Sequence, residues 1–283
     1  MLRGRGVEIK TPEQLAQMRH AGLVVAGTLE LVADSVTDGI TTADLDGLAE
    51  QHIRSCGAVP SFLGHQGFPA SICVSVNQQV VHGIPGSLEL RSGDLVSVDC
   101  GAIVDGWHGD AAVSVVVGGQ PEPGVENLLG VTDAALWQGI SAARAGGRVS
   151  DISAAVEEEV RSHDAGSLGH GLGPGLGIVE DYVGHGIGTA MHQPPNVPNT
   201  GKPGRGARLV PGIAIAIEPM VTLGDPETMM LDDDWTVVTV DGSWAAHFEH
   251  TVAVTETGVW VLTAPDGGRE RLAALGVPYG GPA

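Results

Sequence analysis

Asp99 and Asp110 flank Asp105-Gly106 in the run Val96-Ser-Val-Asp99-Cys-Gly-Ala-Ile-Val-Asp105-Gly-Trp-His-Gly-Asp110. Asp-Gly between two strand-like runs predicts a two-residue hairpin turn, with Asp105 a plain turn residue. Val104 then faces Trp107, and Asp110 lies opposite Gly101, which leaves space beside the carboxylate. Residues two apart on a strand share a face. Asp99 and Asp110 are therefore diagonal neighbours, with Cα atoms roughly 7–8 Å apart. Two carboxylates on a mostly apolar face repel one another and resist burial, and a divalent cation between them removes both objections. The plainer alternative is a pair of surface aspartates on a solvated strand face.

Histidines provide a second cluster. Tyr182-Val-Gly-His185-Gly-Ile-Gly-Thr-Ala-Met-His192 sets two imidazoles seven residues apart, with glycines on both sides of His185. Those glycines allow close approach of backbone or ligand, and imidazole is a frequent metal ligand. His82 precedes Gly83-Ile84-Pro85, a turn. His163 and His170 lie in or near the glycine-rich stretch 164–177. That stretch superficially resembles a phosphate-binding loop, but Pro174 and the lack of a strand–helix frame make it an ordinary loop.

Two glutamates complete the set. Ile213-Ala-Ile-Ala-Ile-Glu218-Pro219 is an apolar run ending in a charge, and such a charge needs a partner. In His247-Phe-Glu249-His-Thr251, Glu249 points with His247 and Thr251. The chain has 14 Lys and Arg against 34 Asp and Glu, a net charge of −20. Protein cations are scarce, so a metal is the more economical partner for these acids. Four carboxylates and one imidazole exceed the needs of one divalent ion and suit two. The donor set favours Mn, Fe, Co or Zn over a thiolate-selective metal. Paired cations sharing a water are how two-metal hydrolases make their nucleophile.

Elements that position these residues follow from the pattern. Thr11-Pro12-Glu13-Gln14 is a capping box with Pro at the first helical position, opening a helix to about residue 35. A second helix runs from about 42 to before Gly57. Strands are predicted over 71–76, 80–81, 94–104 and 107–117. Two further helices, 124–144 and 150–163, precede strands over 177–183, 212–220, 235–240, 243–254 and 259–263. Asp241-Gly242 marks another hairpin. Helices followed by antiparallel strands, twice over, predict an α+β fold. Residues 1–283 read as one catalytic domain, with halves of roughly 11–120 and 121–265 and a weakly structured tail over 266–283.

Together these motifs resemble the type I methionine aminopeptidases. The resemblance runs from Thr11 to about Thr263. It rests on Ser71-Ile-Cys-Val-Ser-Val-Asn77, His82-Gly-Ile-Pro85, Asp99 with Asp105-Gly-Trp-His-Gly-Asp110, Gly184-His-Gly-Ile-Gly188, Glu218-Pro-Met220 and Phe248-Glu-His-Thr251. It implies the pita-bread α+β fold, two pseudo-symmetric halves around an antiparallel sheet. Position by position it implies metal ligands at Asp99, Asp110, His185, Glu218 and Glu249, with Asp110 and Glu249 bridging two ions. His82 falls near the substrate amino group and scissile amide, and His192 beside the tetrahedral intermediate. Glu218 falls on the proton shuttle. Phe68, Cys73, Met191 and Trp235 fall on the methionine pocket. Departures from the common bacterial pattern are His65 and Phe68 for tyrosines, Phe62 for cysteine, Met191 for an aromatic, Gln193-Pro194 for two glutamates and Gly101 for threonine.

The implied activity is removal of N-terminal methionine from peptides and nascent chains when the second residue is small. The ribosome is a further candidate partner, and a monomer is the expected state. An Xaa-Pro peptidase of the same fold and a non-catalytic peptide-binding relative are the alternatives. The acidic balance argues against nucleic-acid binding. No run of about 20 apolar residues predicts a membrane span, and no secretion signal is read at the start. Three cysteines at unrelated spacings fit no disulfide framework, so a reducing cytoplasm is the expected compartment.

Overall fold

The computed structural model describes residues 6–164 and 175–282. The glycine-rich stretch, with His170, lies mostly outside the described residues.

Helix α1 (Pro12–Ser35) opens with the expected box: the Thr11 hydroxyl accepts from Gln14 N–H and the Gln14 side chain accepts from Thr11 N–H. Helix α2 (Thr42–Ser55) repeats the device with Thr41 and Asp44. Strands β1 (Val59–Pro60), β2 (Ile72–Val76), β3 (Gln79–Val81), β4 (Leu95–Val104) and β5 (Trp107–Val116) follow. Helices α3 (Pro123–Ala142) and α4 (Val149–Asp164) come next, then β6 (Gly177–Ile178), β7 (Gly184–Gly186), β8 (Gln193–Val197), β9 (Ala214–Ile217) and β10 (Met220–Thr222). The chain closes with β11 (Thr228–Met230), β12 (Val237–Thr239), β13 (Ala245–His247), β14 (Glu249–Val254), β15 (Val259–Val261) and α5 (Arg269–Ala274).

One nine-stranded sheet has the order β1-β4-β5-β14-β9-β7-β8, with β2 joined to β4 and β15 to β14. Two three-stranded sheets, β13-β10-β6 and β11-β12-β3, stand beside it. All the strand pairs are antiparallel. One apolar cluster joins Val25, Leu29 and Val32 of α1 and Leu45 and Ile53 of α2 to Ile72, Val74, Val96 and Val98. A second joins Leu128, Leu136 and Ile140 of α3 and Ile152 and Val156 of α4 to Ile215, Ile217 and Val252. The sheet is thus braced by a helix pair over each of these regions.

The expected strands 212–220 and 243–254 are each broken. Pro219 has no N–H to give a ladder, so the first splits into β9 and β10. The second splits at Phe248 into β13 and β14. β9 and β14 stay in the large sheet while β10 and β13 enter a small one. His250 pairs with Ile217 and His247 with Met220 in one continuous register. The expected strand 177–183 is reduced to β6. The short strands β7 and β8, hidden in a glycine- and proline-rich stretch, carry no alternating pattern that the sequence reading could use.

The tail expected to be weakly structured is ordered. Leu272 of α5 is fully buried. Tyr279 bridges Val259, Arg269 stacks 4.0 Å over the Tyr279 ring, and Arg271 pairs with Asp133 at 2.7 Å. A few well-seated anchors dock this segment without the periodicity of a longer element.

Helix α1 crosses the β4–β5 hairpin where Gly22 meets Gly109; a Cβ on Gly109 would sit 2.7 Å from Gly22 N, and one on Gly22 would overlap the Leu262 carbonyl. Gly22→Ala is expected to lower unfolding free energy in urea by about 1–3 kcal/mol. Gly47→Ala, on the open face of α2 with nothing near its Cβ, is expected to raise it by up to about 1 kcal/mol.

Candidate metal centre

The hairpin pairs as the Asp105-Gly106 turn dictates: Val104 with Trp107, Gly101 with Asp110, and Asp99 with Ala112. Strand β14 lies along the other edge of β5, with Glu249 opposite Ala112. The register that runs through the break at Pro219 puts Glu218 opposite Glu249. Asp99, Ala112, Glu249 and Glu218 therefore form one row across four strands. The adjacent row holds Gly101, Asp110, Thr251 and Ala216. The Gly186–Ile215 pairing of β7 with β9 brings His185 to the end of that row. Asp110 and Thr251 are locked together, Asp110 N–H donating to Thr251 Oγ1 at 3.0 Å and the hydroxyl donating back to Asp110 O at 2.8 Å.

All five expected ligands thus line one cleft, along with His82, His192, Phe62, His65, Phe68, Cys73, Met191 and Trp235. One ligand atom each from Asp110, His185 and Glu249 lies within 4.8 Å of the others. Asp110 is 3 % exposed and Glu249 2 %. Asp99 keeps some surface toward the cleft, although its Oδ1 is sealed from solvent. Asp99 Oδ1, Asp110 Oδ1 and Glu249 Oε1 are buried with no hydrogen-bond partner. Among the described residues, the ion pairs of Lys and Arg all go to other acids.

Burial, reinforced for Asp110 by Asp99 and Glu218, pushes the Asp110 carboxyl well above the usual range. Burial and then Asp110, Glu218 and Asp99 do the same for Glu249. Asp99 is also raised, chiefly by burial. Burial alone would raise Glu218 as well, but His247 and His185 beside it more than reverse this, and the net shift is downward. His185 Nε2 is 3.6 Å from Glu218 Oε1, and His247 Nε2 is 3.6 Å from Glu218 Oε2. A cluster of orphaned acid oxygens with one imidazole, closed to protein cations, has the donor chemistry of a divalent-metal site.

His192 sits against the His185 ring, centroids 4.4 Å apart, and keeps a face open to the cleft. Burial of the rest of the ring, and then His185, pull its pKa down to about 4, so it is a neutral imidazole at neutral pH. His82 has a left-handed backbone, φ 59°, a strained geometry for a residue with a Cβ. Its ring stands edge-on to Tyr182 and Trp235, and burial lowers its pKa. Phe62, Phe68, Ala70, Cys73 and Met191 form an apolar cluster with Trp235 packed against it.

One local expectation is corrected. Gly101 does not leave open space: a Cβ there would lie 2.8 Å from both the Phe62 ring and the Ser61 Cβ. Phe62 and Ser61 fill the room, and Ser61 Oγ is 3.0 Å from His108 Nδ1. The sequence reading placed His247 beside Glu249 but did not connect it to Glu218. That contact depends on pairing across the broken strands.

A helix-braced sheet with clustered acids at its centre has the framework and donors of a metal-dependent enzyme. A profile of metallopeptidase family M24 matches residues 16–256, and the chain belongs to that family. It is 50 % identical over 264 residues to methionine aminopeptidase 1 of Mycobacterium tuberculosis, covering 93 % of this chain and 97 % of that one. The crystal structure of methionine aminopeptidase from Thermotoga maritima matches with a TM-score of 0.85 and 39 % identity, over 91 % of this chain and 99 % of that one. An Xaa-Pro dipeptidase from Bacillus anthracis matches with a TM-score of 0.68 and 20 % identity, over 91 % of this chain and 62 % of that one, a likeness of fold. The architecture is the pita-bread fold.

A group whose folded pKa is raised withdraws stability as pH rises through that value. The metal-free protein is therefore expected to lose stability as pH rises from the ordinary carboxylate range to about 7, the value to which Asp99 is raised. Glu249→Gln, which removes one of the crowded charges, is expected to lose less. Saturating Mn(II) or Co(II) is expected to raise the melting temperature of the wild type and not that of Glu249→Gln. Scanning calorimetry on metal-stripped and metal-loaded protein checks both outcomes.

Proposed function

We propose that the chain is a methionine aminopeptidase that removes N-terminal methionine from peptides and nascent chains when the second residue is small. The observation that carries this is the pairing of a buried acid cluster, three of whose oxygens lack a protein partner, with an apolar pocket in the same cleft. The 50 % identity to methionine aminopeptidase 1 of Mycobacterium tuberculosis, over 93 % of this chain, supports it. No observation favours the Xaa-Pro alternative, whose likeness extends to the fold. A non-catalytic relative is disfavoured because none of the five ligand positions has lost its donor.

Asp99, Asp110, His185, Glu218 and Glu249 would hold two divalent cations, with Mn, Co, Fe and Zn the candidates. Bound there, the cations would supply Lewis acidity toward the scissile carbonyl and acidify a water. The protein's own groups do the rest. Glu218, whose pKa is pulled down by its two imidazole neighbours, accepts the water proton and delivers it to the leaving nitrogen. His192, neutral, donates an N–H to the oxygen that becomes negative. His82 faces the amino group and scissile amide. Phe68, Cys73, Met191 and Trp235, with Phe62, hold the methionine side chain, whose polarizable sulfur packs well on aromatic edges. Phe68 and Trp235 stand edge to face at 5.1 Å. The whole chain is read as one catalytic domain, with halves near 11–120 and 121–265.

Nascent chains, and through them the ribosome, are the proposed partners, with the protein acting as a monomer. No helix among the described residues is long and apolar enough to cross a membrane. Cys56, Cys73 and Cys100 are free thiols, which suits the proposed cytoplasmic location.

With Mn or Co added, methionine release from Met-Gly-Met-Met is expected, with little from Met-Leu-Met-Met or from Xaa-Pro peptides. No release from Met-Gly-Met-Met removes the proposal. His192→Ala is expected to lower kcat by roughly 10²–10³-fold. Glu218→Gln is expected to lose turnover almost entirely while its far-UV circular dichroism stays that of the wild type.

A further inference from the structure

His247 closes β13 two residues before Glu249 and is 1 % exposed. Its main chain is clamped to Ser114, His247 N–H donating to Ser114 Oγ at 2.9 Å and Ser114 Oγ donating to His247 O at 2.8 Å. Ser114 Oγ also meets Ser97 Oγ at 2.7 Å. Ser97 pairs with Ser114, and His247 with Met220. These four residues form a row directly behind Asp99, Ala112, Glu249 and Glu218. His247 Nε2 is buried and has no hydrogen-bond partner. The carboxylate beside it is Glu218, with Oε2 at 3.6 Å. The other Glu218 oxygen, Oε1, is 3.6 Å from His185 Nε2. Glu218 therefore has one oxygen turned to an expected ligand and one turned to an imidazole outside the ligand set.

A buried imidazole N–H without an acceptor is unfavourable, and so is a buried carboxylate oxygen without a donor. Closing this gap to a charge-assisted hydrogen bond of about 2.8 Å satisfies both. We propose that His247 is a positioning residue: its Nε2–H donates to Glu218 Oε2, fixing the carboxylate so that Oε1 faces the metal centre. The pinned Ser114–His247 backbone gives the imidazole a fixed origin, so the ring sets the angle of Glu218 rather than following it. Outer groups of this kind orient ligands and tune both metal affinity and activity. The proposal rests on the reading of Glu218 as a ligand.

The test uses the full chain with His247→Gln, which keeps an N–H donor of similar reach, and His247→Leu and His247→Met, which fill the space without one. Metal-free proteins are titrated with Co(II) alone by calorimetry, and kcat and KM are measured on Met-Gly-Met-Met. The donor-less variants are expected to bind Co(II) about 10–100-fold more weakly. Their kcat is expected to fall by a similar factor, with peptide KM within about threefold of wild type. His247→Gln is expected to restore both to within about fivefold, and the metal-free melting temperatures of the variants to stay close to that of wild type. Two donor-less side chains keep the comparison open should one fail to fold. Wild-type Co(II) affinity in a folded donor-less variant overturns the proposal. So does a Gln variant as impaired as the donor-less ones. A wild type that binds Co(II) but leaves the peptide uncut contradicts the substrate reading instead, and the calorimetric comparison still decides the role of His247.

Discussion

Three of the four acids in the cleft, Asp99, Asp110 and Glu249, keep an oxygen sealed from solvent and without a partner, and Glu218 is buried beside them. Burying several carboxylates together is costly because each loses water and each repels the others. Among the described residues no Lys or Arg, the usual remedy, lines this cleft: the chain has only 14 of them, and the described ones in ion pairs serve other acids. The resulting tension is the functional feature. A fold that withholds its own cations leaves a pocket whose charge is satisfied by cations from outside. The net charge of −20 adds a field of the same sense over the whole molecule.

Such a site needs rigid placement, and the antiparallel sheet supplies it. Each acid is fixed by cross-strand register. Ala112 and Ala216 stand between ligand positions, and their small side chains keep those rows uncrowded. The break at Pro219 turns the chain from the large sheet into a small one while Glu218 stays opposite Glu249. The same turn brings His247 next to Glu218. Glu218, the proposed ligand and proton shuttle, and the His247 imidazole are therefore both placed by one irregularity in two paired strands. The helix pairs bury the reverse of this sheet, and α1 comes so close to β5 that Gly109 has no room for a side chain, while Gly22 is closed off by the Leu262 carbonyl.

Much of this was legible in the residues themselves. Asp105-Gly106 determined the register that makes Asp99 and Asp110 neighbours, and Thr11-Pro12 marked the start of α1. The scarcity of basic residues already pointed from paired acids to metal. Other features were not legible for physical reasons. The splitting of two apparent strands depends on how β9, β10, β13 and β14 share two sheets. β7 and β8 lie among glycines and prolines, where no periodicity announces a strand. The tail has too few anchors to show a pattern, yet Leu272 and Tyr279 seat it. Pocket residues from Phe68 to Trp235 are spread over the chain, and their convergence came from family resemblance rather than from spacing. Gly101 was read as open space because hairpin register is blind to Phe62, which arrives from a different loop.

The central claim is that this acid cluster is completed by a pair of cations. Anomalous diffraction from crystals of the protein equilibrated with Mn(II) or Co(II) addresses it most directly. The account predicts two peaks about 3.5–4 Å apart, enclosed by Asp99, Asp110, His185, Glu218 and Glu249. Anomalous peaks confined to the protein surface, with those five side chains left as they stand around an empty centre at saturating metal, would contradict it.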